Sequence, residues 1–465
     1  MAIHSMVPAD AAWFHTDGPA NPAIVTGVLL TRRALDFSAV RAVCQERLLG
    51  FSRFRQRVIE RGFPVAVPSW EDCPDFDIDL HLHHIALAAP HDEEALRNLV
   101  CDIASTSLDH ALPLWQVHVV DDVMGGSALI MRCHHCIADG TALMAVARKL
   151  FDVSPSPQDR LQDTPLMRAL PKAETETLAG EALHLVMHPK EAIERASALV
   201  SGAATLAQEL WRPDDPKSPI KGEFAQGKRV AWSAPIKIKD VKTIGALHGA
   251  KVNDVMVAIL TGALRDYLGS HGVDVDHTTL RAMVPVDLRP LQHVGQLGNE
   301  FGLVLLDLPI ATARPEQRLE LTKTRMSALK HSSEALASQI LLEILGRAPK
   351  AVEEYSNNLF GRKCSLVVTN VMGPREQLKL AGVPIDRVLA WAPHPGKQLG
   401  MAISIFSYRG AVSLTVVSDA HLLPDPQSIT ERFNEDFQSL LHKTAPHGTE
   451  RTTRKGAAKK QRLPH

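Results

Sequence analysis

The sequence predicts a mixed α/β protein of two domains, each with a mixed β-sheet flanked by helices. The chain has 465 residues, more than one hydrophobic core usually serves. Segments with strand-like and helix-like patterns alternate over the first ~150 residues and again after residue 220. Polar stretches rich in proline separate the two regions at residues 154–171 and 212–219, which indicates a linker between domains.

The predicted N-terminal domain covers residues 1–153. Its strand candidates are apolar or β-branched runs, and its helix candidates carry apolar residues at helical spacing. The predicted strands are residues 23–31, 116–121 and 128–134, and the predicted helices are residues 36–49 and 93–108.

Residues 154–219 are predicted to form a linker that contains a helical connector at residues 174–211. The connector carries enough apolar residues for one buried or lipid-facing side. Packing against the interface between the domains is the interpretation we favour, and a lipid-facing surface is the alternative.

The predicted C-terminal domain covers residues 220–443 and again mixes both kinds of element. The predicted helices are residues 252–270, 315–330 and 422–441, and the predicted strands are residues 281–285, 302–308, 364–369, 401–407 and 411–418. Residues 444–465 are rich in lysine and arginine and are predicted to be a disordered tail, which could add affinity for anionic lipid.

Composition and charge exclude several classes of protein. The net charge is −1, so nothing in the global balance favours a nucleic-acid partner. The first residues lack the basic and apolar regions of a secretory signal, and no apolar run approaches the ~20 residues that span a bilayer. Six scattered cysteines fit a reducing compartment better than a disulfide framework. We therefore expect a cytoplasmic protein without a transmembrane segment.

Two adjacent histidines, His134 and His135, end the strand candidate at residues 128–134 and precede a turn at Asp139 and Gly140. Because side chains alternate across a strand, the two imidazoles should point to opposite faces, and only one can enter a given cavity. An imidazole titrates near neutral pH and can take a proton from an alcohol that attacks a thioester. Asp139 could orient a histidine or hold the turn, and Gly140 could adopt a backbone conformation closed to other residues.

Other chemistries fit the sequence less well. Cys133 and Cys136 bracket the histidines, but consecutive residues cannot all converge on one tetrahedral ion, so we expect no metal site. The histidines at positions 81, 83 and 84 are better explained as parts of a strand. There is no G-x-S-x-G elbow, no phosphate-binding P-loop and no convincing G-x-G-x-x-G, so neither a serine hydrolase nor a nucleotide-binding enzyme is indicated.

Residues 134–140, HHCIADG, match the HHxxxDG motif of the CoA-dependent acyltransferase superfamily, which includes chloramphenicol acetyltransferase and peptide-synthetase condensation domains. The flanking sequence resembles the bacterial wax ester synthase/diacylglycerol acyltransferase family from about residue 8 to about residue 419. The resembling blocks are LDHALPLW at 108–115, NDVMVA with GALRDYL within 252–268, RAMVPV at 281–286, LGN at 297–299 and VTNVMGP at 368–374.

This resemblance implies a fold and a reaction. The fold would be two chloramphenicol-acetyltransferase-like domains with the active site at their interface. In such enzymes the second histidine of the motif is the general base, so the role falls on His135, with His134 in a supporting position. His135 would deprotonate a long-chain alcohol or a diacylglycerol, which attacks acyl-CoA directly, without an acyl-enzyme. The products would be wax esters or triacylglycerols. Acyl-CoA is then a substrate, and no cofactor is expected.

The resemblance also suggests roles for other residues. Asp139 would orient or support the site, with an arginine of the second half of the chain, such as Arg289, as its partner. Asn253 either supports the active-site channel or caps its helix. Thr369 and Asn370 are candidates for substrate binding. Gln116 departs from the family pattern, which has glutamate after PLW, and this departure could alter a local ion pair.

Three alternatives remain at this stage. A cysteine nucleophile at Cys136 is one, and a superfamily member that acylates a non-lipid alcohol is a second. The third is a non-catalytic protein that binds lipid or CoA, against which the intact His135 argues. The resemblance to lipid-modifying enzymes, together with the lack of a predicted spanning helix, implies peripheral association with the inner membrane or with lipid inclusions.

Overall fold

The computed structural model of the chain describes residues 3–60, 67–154, 212–225, 227–289, 296–330, 334–345, 347, 358, 361–393 and 398–444. The predicted helical connector at residues 174–211 and all of the predicted tail after residue 444 lie outside these residues.

Strands and helices alternate along both halves of the chain, which confirms the predicted mixed α/β fold. The strands are β1 (Ile3–Ser5), β2 (Ile24–Thr31), β3 (Gln56–Ile59), β4 (Ser69–Asp72), β5 (Leu82–Ala86), β6 (Trp115–Val123), β7 (Gly126–His134), β8 (Asp152–Ser154), β9 (Lys228–Trp232), β10 (Ile236–Lys237), β11 (Leu280–Asp287), β12 (Phe301–Leu308), β13 (Leu366–Met372), β14 (Gln377–Leu380), β15 (Val383–Trp391), β16 (Met401–Tyr408) and β17 (Ala411–Asp419). The α-helices are α1 (Pro8–Thr16), α2 (Phe37–Val43), α3 (Glu93–Ala104), α4 (Gly140–Leu150), α5 (Ile238–His248), α6 (Val252–Ser270), α7 (Pro315–Lys330), α8 (Glu334–Leu345) and α9 (Pro426–Thr444).

Two large sheets organise the molecule. The first has the strand order β5-β6-β7-β2-β15-β14-β8, with β5 and β6 parallel and the central pairs antiparallel. The second has the order β10-β17-β16-β13-β11-β12, with β9 also paired to β17. Its central strands β11, β13 and β16 are parallel. A small third sheet has the order β1-β4-β3. Both large sheets are therefore mixed, as predicted.

Strands β14 and β15 cross from the second half of the chain into the first sheet. β15 pairs antiparallel with β2, so that Leu389 lies opposite Val28. Both of these residues are fully buried. Neither strand is among those predicted from the sequence, where residues 220–443 form a single C-terminal domain. The sheets do not follow that boundary, because residues 377–391 complete the N-terminal sheet.

Local sequence explains how the best-defined helices begin. The Asp92 side chain accepts a hydrogen bond from the Ala95 N–H and caps α3, whose buried residues then face the first sheet. Before α6, the Lys251 N–H donates to the Asp254 carboxylate at 2.8 Å. Helix α6 is buried along most of its length and forms the centre of the second domain. Its bounds and those of α7 agree with the predicted ranges.

Close backbone packing brings a helix onto the edge of the second sheet. A Cβ atom at Gly302 in β12 would lie 1.8 Å from the Ala335 carbonyl oxygen in α8. Glycine is therefore required at this position for α8 to lie so close to the strand. Helix α8 is not among the helices predicted from the sequence.

Among the residues that the structure describes, no helix is both long enough and apolar enough to cross a membrane.

Candidate active site

The turn between β7 and α4 holds the two histidines at the meeting point of the two sheets. Strand β7 ends at His134, which lies opposite Ile24 in β2. One residue later, the His135 N–H donates to the Ala23 carbonyl at 2.7 Å. His135 is 5% exposed and lies on the wall of a cavity.

A buried hydrogen-bond chain fixes the tautomer of His135. The Nδ1 atom of His135 lies 2.9 Å from the Asn299 Oδ1. The Asn299 amide nitrogen donates to the Asp10 carboxylate and to the His135 carbonyl, both at 2.8 Å. Because this nitrogen already has two acceptors, Oδ1 must accept from His135, and the proton lies on Nδ1. Within the described part of the chain no group hydrogen-bonds to Nε2, which is left with a free lone pair.

Aromatic packing fixes the plane of the imidazole. The rings of Trp13 and His135 are stacked, with centroids 3.9 Å apart and planes 13° from parallel. Phe301 packs against the same imidazole with a centroid distance of 5.9 Å. Trp13 belongs to α1 and Phe301 to β12, so both halves of the chain hold the ring.

Burial determines the charge states of His135 and Asp10. It lowers the pKa of His135 to about 4, although the Asp139 charge and the Asn299 hydrogen bond act in the opposite direction. The imidazole is therefore neutral at physiological pH, as a base must be. Burial raises the pKa of Asp10 to about 7, with hydrogen bonds from Asn299 opposing the rise.

The cavity beside His135 is mostly apolar and lies between the two sheets. It has a volume of about 250 Å³. Both halves of the chain contribute to its wall, which includes Trp13, Trp115, Met131, His135, Leu143, Met283, Phe301, Val367, Thr369 and Phe406. His135 is thus buried yet faces an open space, which is the arrangement that the catalytic interpretation of this residue requires.

His134 points away from this cavity, as the alternation of side chains predicts. Its Nδ1 atom accepts a hydrogen bond from the Cys136 N–H at 3.1 Å. The proton of the neutral ring is therefore on Nε2, which lies 3.6 Å from Asp17 Oδ1. Asp17 also binds His110 at 2.9 Å. The geometry gives His134 a supporting position in the turn and no access to the cavity.

Asp17, His110 and His134 place three potential metal-ligand atoms within 4.8 Å of one another. The hydrogen bonding of His134 opposes metal binding at this point. Its Nε2 carries the proton when Nδ1 accepts from the backbone, whereas a metal would need the Nε2 lone pair. The hydrogen bond to Asp17 raises the pKa of His110. This favours a protonated His110 that pairs with Asp17 over a neutral His110 that binds a metal ion.

Asp139 holds the turn in two directions. One oxygen accepts from the Ala142 N–H at 2.9 Å and caps α4. The other accepts from Arg289 at 2.6 Å and from the Glu300 N–H at 3.0 Å. The side chains of Asp139 and Arg289 are only 8% and 1% exposed. Arg289, named in the sequence analysis as a possible partner, is the arginine that pairs with Asp139.

The segment that carries Asn299 packs directly onto the HHxxxDG turn. Gly298 bridges Ala138, and the Gly298 N–H donates to the Ile137 carbonyl at 3.1 Å. The φ angle of Gly298 is +114°, and a Cβ atom there would approach the Asp10 carboxylate. Glycine is the residue that tolerates this conformation. The expectation for Gly140 is wrong in this respect, because Gly140 is the first residue of α4 and has no positive φ.

The remaining predicted site residues divide between the cavity and its surroundings. Thr369 and Asn370 lie within β13 and line the cavity. Asn253 is not an N-cap, because α6 begins before it at Val252. Its Oδ1 instead accepts a hydrogen bond from the Asn370 Nδ2 at 2.6 Å, and it thereby helps to hold the side chain of a cavity residue.

The cysteines of the motif are buried thiols. Burial raises the pKa values of both Cys133 and Cys136, and nearby carboxylates raise that of Cys136 further. A thiol held in its neutral form is a poor nucleophile and a poor metal ligand. The strand interpretation of the other histidines is confirmed for His83 and His84, which lie in β5, and is wrong for His81, which ends a short 3-10 turn just before that strand.

Gln116, which replaces the glutamate of the family pattern, contacts an arginine. Its Oε1 accepts a hydrogen bond from the guanidinium of Arg132 at 3.0 Å. The amide therefore gives Arg132 a neutral partner at a position where a glutamate would provide a carboxylate.

The most important residues that the sequence analysis does not identify as part of the site are Asp10, Trp13 and Asn299. Asn299 ends the LGN block and Asp10 lies near the start of the region that resembles the family, but neither is given a role there. A polar residue that follows a glycine, as Asn299 follows Gly298, is a weak signal by itself. Its contact with His135 spans 164 positions in the sequence, and no local pattern reports such a contact.

Comparison with known families identifies two matching regions. Residues 6–256 match the "Wax ester synthase/diacylglycerol acyltransferase catalytic domain", and residues 297–441 match the "WS/DGAT C-terminal domain". A curated relative from Mycobacterium tuberculosis (strain ATCC 25618 / H37Rv), "Probable diacyglycerol O-acyltransferase tgs1", is 27% identical over 420 residues, which cover 88% of this chain and 89% of the relative.

Solved structures share the fold over nearly the whole chain. The wax ester synthase/diacylglycerol acyltransferase from Marinobacter aquaeolei VT8 superposes with a TM-score of 0.67 at 20% identity, covering 95% of this chain and 99% of that one. The first condensation domain of the calcium-dependent antibiotic synthetase superposes with a TM-score of 0.60 at 16% identity, covering 96% and 97%. At these identities the likeness concerns the fold.

Proposed function

The chain belongs to the wax ester synthase/diacylglycerol acyltransferase family and is an acyl-CoA-dependent O-acyltransferase, and we propose that His135 is the general base that activates its acceptor alcohol. The observation that carries this proposal is the state of the His135 imidazole. It is neutral, its Nδ1 proton is bound by Asn299, and its free Nε2 is left for a substrate in the cavity.

The reaction needs one proton to pass through His135. The Nε2 atom takes the proton of the acceptor hydroxyl while the oxygen attacks the thioester carbonyl of acyl-CoA. The carbon–sulfur bond then breaks, and the leaving thiolate receives the proton from Nε2. The products are an ester and CoA, and His135 returns to its starting state. No acyl-enzyme and no cofactor are needed.

We assign Asp10 and Asn299 as positioning residues for this step. When His135 takes a proton it becomes an imidazolium ion in a buried site, which desolvation disfavours. The Asn299 carbonyl oxygen accepts from Nδ1, and Asp10 accepts from both the side-chain and backbone N–H groups of Asn299 at 2.8 and 2.9 Å. The hydrogen bonds from His135 through Asn299 to Asp10 direct negative potential toward Nδ1 and stabilise the imidazolium during the transfer.

The lining of the cavity supports the proposal that both the acyl donor and the acceptor alcohol are lipids. Its wall is mostly apolar, which suits a fatty acyl chain together with a diacylglycerol or long-chain alcohol. We propose Thr369 and Asn370, which line the same wall, as substrate-binding residues, with Asn253 supporting Asn370. The substrates reside in bilayers or lipid inclusions, so we propose that the protein works in the cytoplasm at the surface of the inner membrane or of such inclusions.

The acceptor can be tested by direct competition. Purified protein would be given radiolabelled palmitoyl-CoA with dipalmitoylglycerol, hexadecanol and a short polar alcohol together, and the products separated by class. We expect labelled triacylglycerol, wax ester or both. Transfer confined to short polar alcohols would overturn the proposal of a lipid acceptor, and an absence of thiol release with every acceptor would overturn the proposed reaction.

Replacing Asn299 separates positioning from simple structural support. We expect Asn299→Ala to lower kcat by about 10- to 100-fold, as when the hydrogen-bond partner that orients a metal-ligating histidine is removed. Asn299→Asp places a carboxylate against Nδ1 and should raise the pKa of His135. Because protonated His135 cannot act as a base, the acid limb of kcat/KM should move to higher pH in Asn299→Asp.

The measurement is the pH profile of kcat/KM for wild type and both variants, with the melting temperature recorded at each pH. If both variants lose activity while the acid limb of Asn299→Asp stays where it is in the wild type, Asn299 acts only on the fold.

A further inference from the structure

A second, smaller pocket adjoins the cavity of the active site and contains two buried basic side chains, Arg132 and Lys228. It has a volume of about 30 Å³, room for a few oxygen-sized atoms. Thr26, Arg132, Trp391, Ala392 and Pro393 line both this pocket and the larger cavity, so the two spaces are neighbours. Arg132 comes from the first sheet and Lys228 from the second, which places the pocket between them.

Arg132 has only neutral partners among the described residues. Its side chain donates to the Thr106 hydroxyl at 3.1 Å, to the Gln116 amide oxygen at 3.0 Å and to the Thr106 carbonyl. The residue is 2% exposed, and its Nε atom has no hydrogen-bond partner. Burial lowers the pKa of Arg132 to about 10, and no nearby carboxylate counteracts it. At neutral pH the pocket therefore contains an uncompensated positive charge.

Lys228 also lines the pocket and is buried. The residue is 5% exposed, and its Nζ atom has no hydrogen-bond partner in the described part of the chain. The Nζ atom lies 4.9 Å from the centre of the Phe224 ring. Asp419, opposite Lys228 in the β9–β17 ladder, favours the charged form but makes no ion pair with it. Burial dominates and lowers the pKa of Lys228 to about 8.

Two buried cations that line one pocket carry a desolvation cost, which an anion bound between them would offset. A buried charge without a partner destabilises a protein by several kcal/mol, and buried donors that make no hydrogen bond add to that cost. A guanidinium and an ammonium that both retain free donors form a suitable site for a phosphate, to which they would give charge-assisted hydrogen bonds. Asn21, a polar residue, completes one side of the same pocket.

We propose that the pocket between Arg132 and Lys228 binds a phosphate group. The phosphate could belong to acyl-CoA, in which case the inference rests on the proposed function, or it could be free inorganic phosphate. Arg132 precedes His135 by three residues of extended chain, so their backbones are about 10 Å apart. If a phosphate of acyl-CoA bound in this pocket, it would hold the acyl donor through a contact that lies away from the reacting thioester.

The test uses two substitutions that change charge with little change in volume. Lys228→Met removes the ammonium. Gln116→Glu places a carboxylate in contact with Arg132 and so occupies that cation from within the protein. The matched control is Arg229→Met, which removes a positive charge from the next residue of the same strand, where the side chain is exposed.

Isothermal titration calorimetry of the full-length protein with inorganic phosphate and with CoA measures the site without catalysis. We expect Lys228→Met and Gln116→Glu each to weaken binding of the occupying ligand by about 10-fold or more, and Arg229→Met to leave it within about two-fold. Weakened binding of CoA, with KM raised for palmitoyl-CoA but not for palmitoyl-pantetheine, identifies the phosphate of the donor. Weakened binding of inorganic phosphate alone, with KM for palmitoyl-CoA unchanged, identifies free phosphate.

The proposal would be overturned if both pocket variants bound phosphate and CoA as tightly as the wild type does. It would also be overturned if the wild type bound neither ligand. Because binding is read by heat, a protein that binds phosphate but transfers no acyl group would retain this inference and lose the proposed function.

Discussion

Replacing His135 by alanine is expected to lower kcat by about 10²- to 10⁴-fold, the range that general-base catalysis contributes. The variant loses the Nε2 lone pair that takes the proton of the acceptor, while the cavity and the walls that bind both lipid chains remain. The measurement is thiol release from palmitoyl-CoA with hexadecanol or dipalmitoylglycerol as acceptor. KM for palmitoyl-CoA should change much less than kcat, because binding and proton transfer depend on different groups.

His84→Ala is a suitable control for the loss of an imidazole. His84 lies in β5 of the same sheet, is exposed, and stacks on Phe37 away from the cavity. We expect its kcat to match the wild type. Equal rates for wild type and His135→Ala would refute the assignment of the base, whatever the stability of the variant.

The pH dependence of the wild type provides an independent check on the same residue. Since burial lowers the pKa of His135 to about 4, the base should stay active well below the usual histidine range. The acid limb of kcat/KM should therefore lie near pH 4 and not near pH 6.5, provided that the protein remains folded there. Protonation of Asp10, whose pKa burial raises to about 7, would also reduce activity in that range. An acid limb near pH 6.5 that persists in folded Asp10→Asn protein would therefore indicate that the imidazole is solvated and that the site is more open than the structure.

Local sequence predicts those parts of the site that depend on neighbouring residues. The opposite orientations of His134 and His135 follow from the alternation of a strand, and their different surroundings agree with it. The position of Asp139 before α4 suggests a structural role, and the aspartate caps that helix. Arg289 could be named only as one possibility, because a buried ion pair across 150 residues leaves no periodic signal.

The fold follows the same division between local and distant information. Helix α6 has a long apolar run with a capping aspartate at its start, so its bounds could be predicted from sequence. β15 alternates poorly between buried and partly buried positions, and its partner β2 lies more than 350 residues away. Its membership of the first sheet is decided by tertiary packing, as is the contact of Asn299 with His135.

The second large effect is expected at the buried ion pair of Asp139 and Arg289. Asp139→Asn keeps a good N-cap for α4 but leaves the Arg289 charge without its partner in a site where that side chain is 1% exposed. Removing one member of a buried pair typically lowers the free energy of unfolding by about 3–5 kcal/mol. Urea denaturation should report this loss. Activity should fall as well, because Arg289 and Asp139 both hold the backbone beside Asn299.

A double-mutant cycle separates the ion pair from the other contacts of Asp139. Arg289→Met alone leaves a buried carboxylate, and the pair Asp139→Asn with Arg289→Met removes both charges at once. Because neither charge is then left unpaired, the double variant should be more stable than the sum of the single losses predicts, by about 0.5–3 kcal/mol. Additive losses would mean that the two side chains do not stabilise each other. An Asp139→Asn protein of wild-type stability but without activity would instead give the aspartate a direct part in the chemistry.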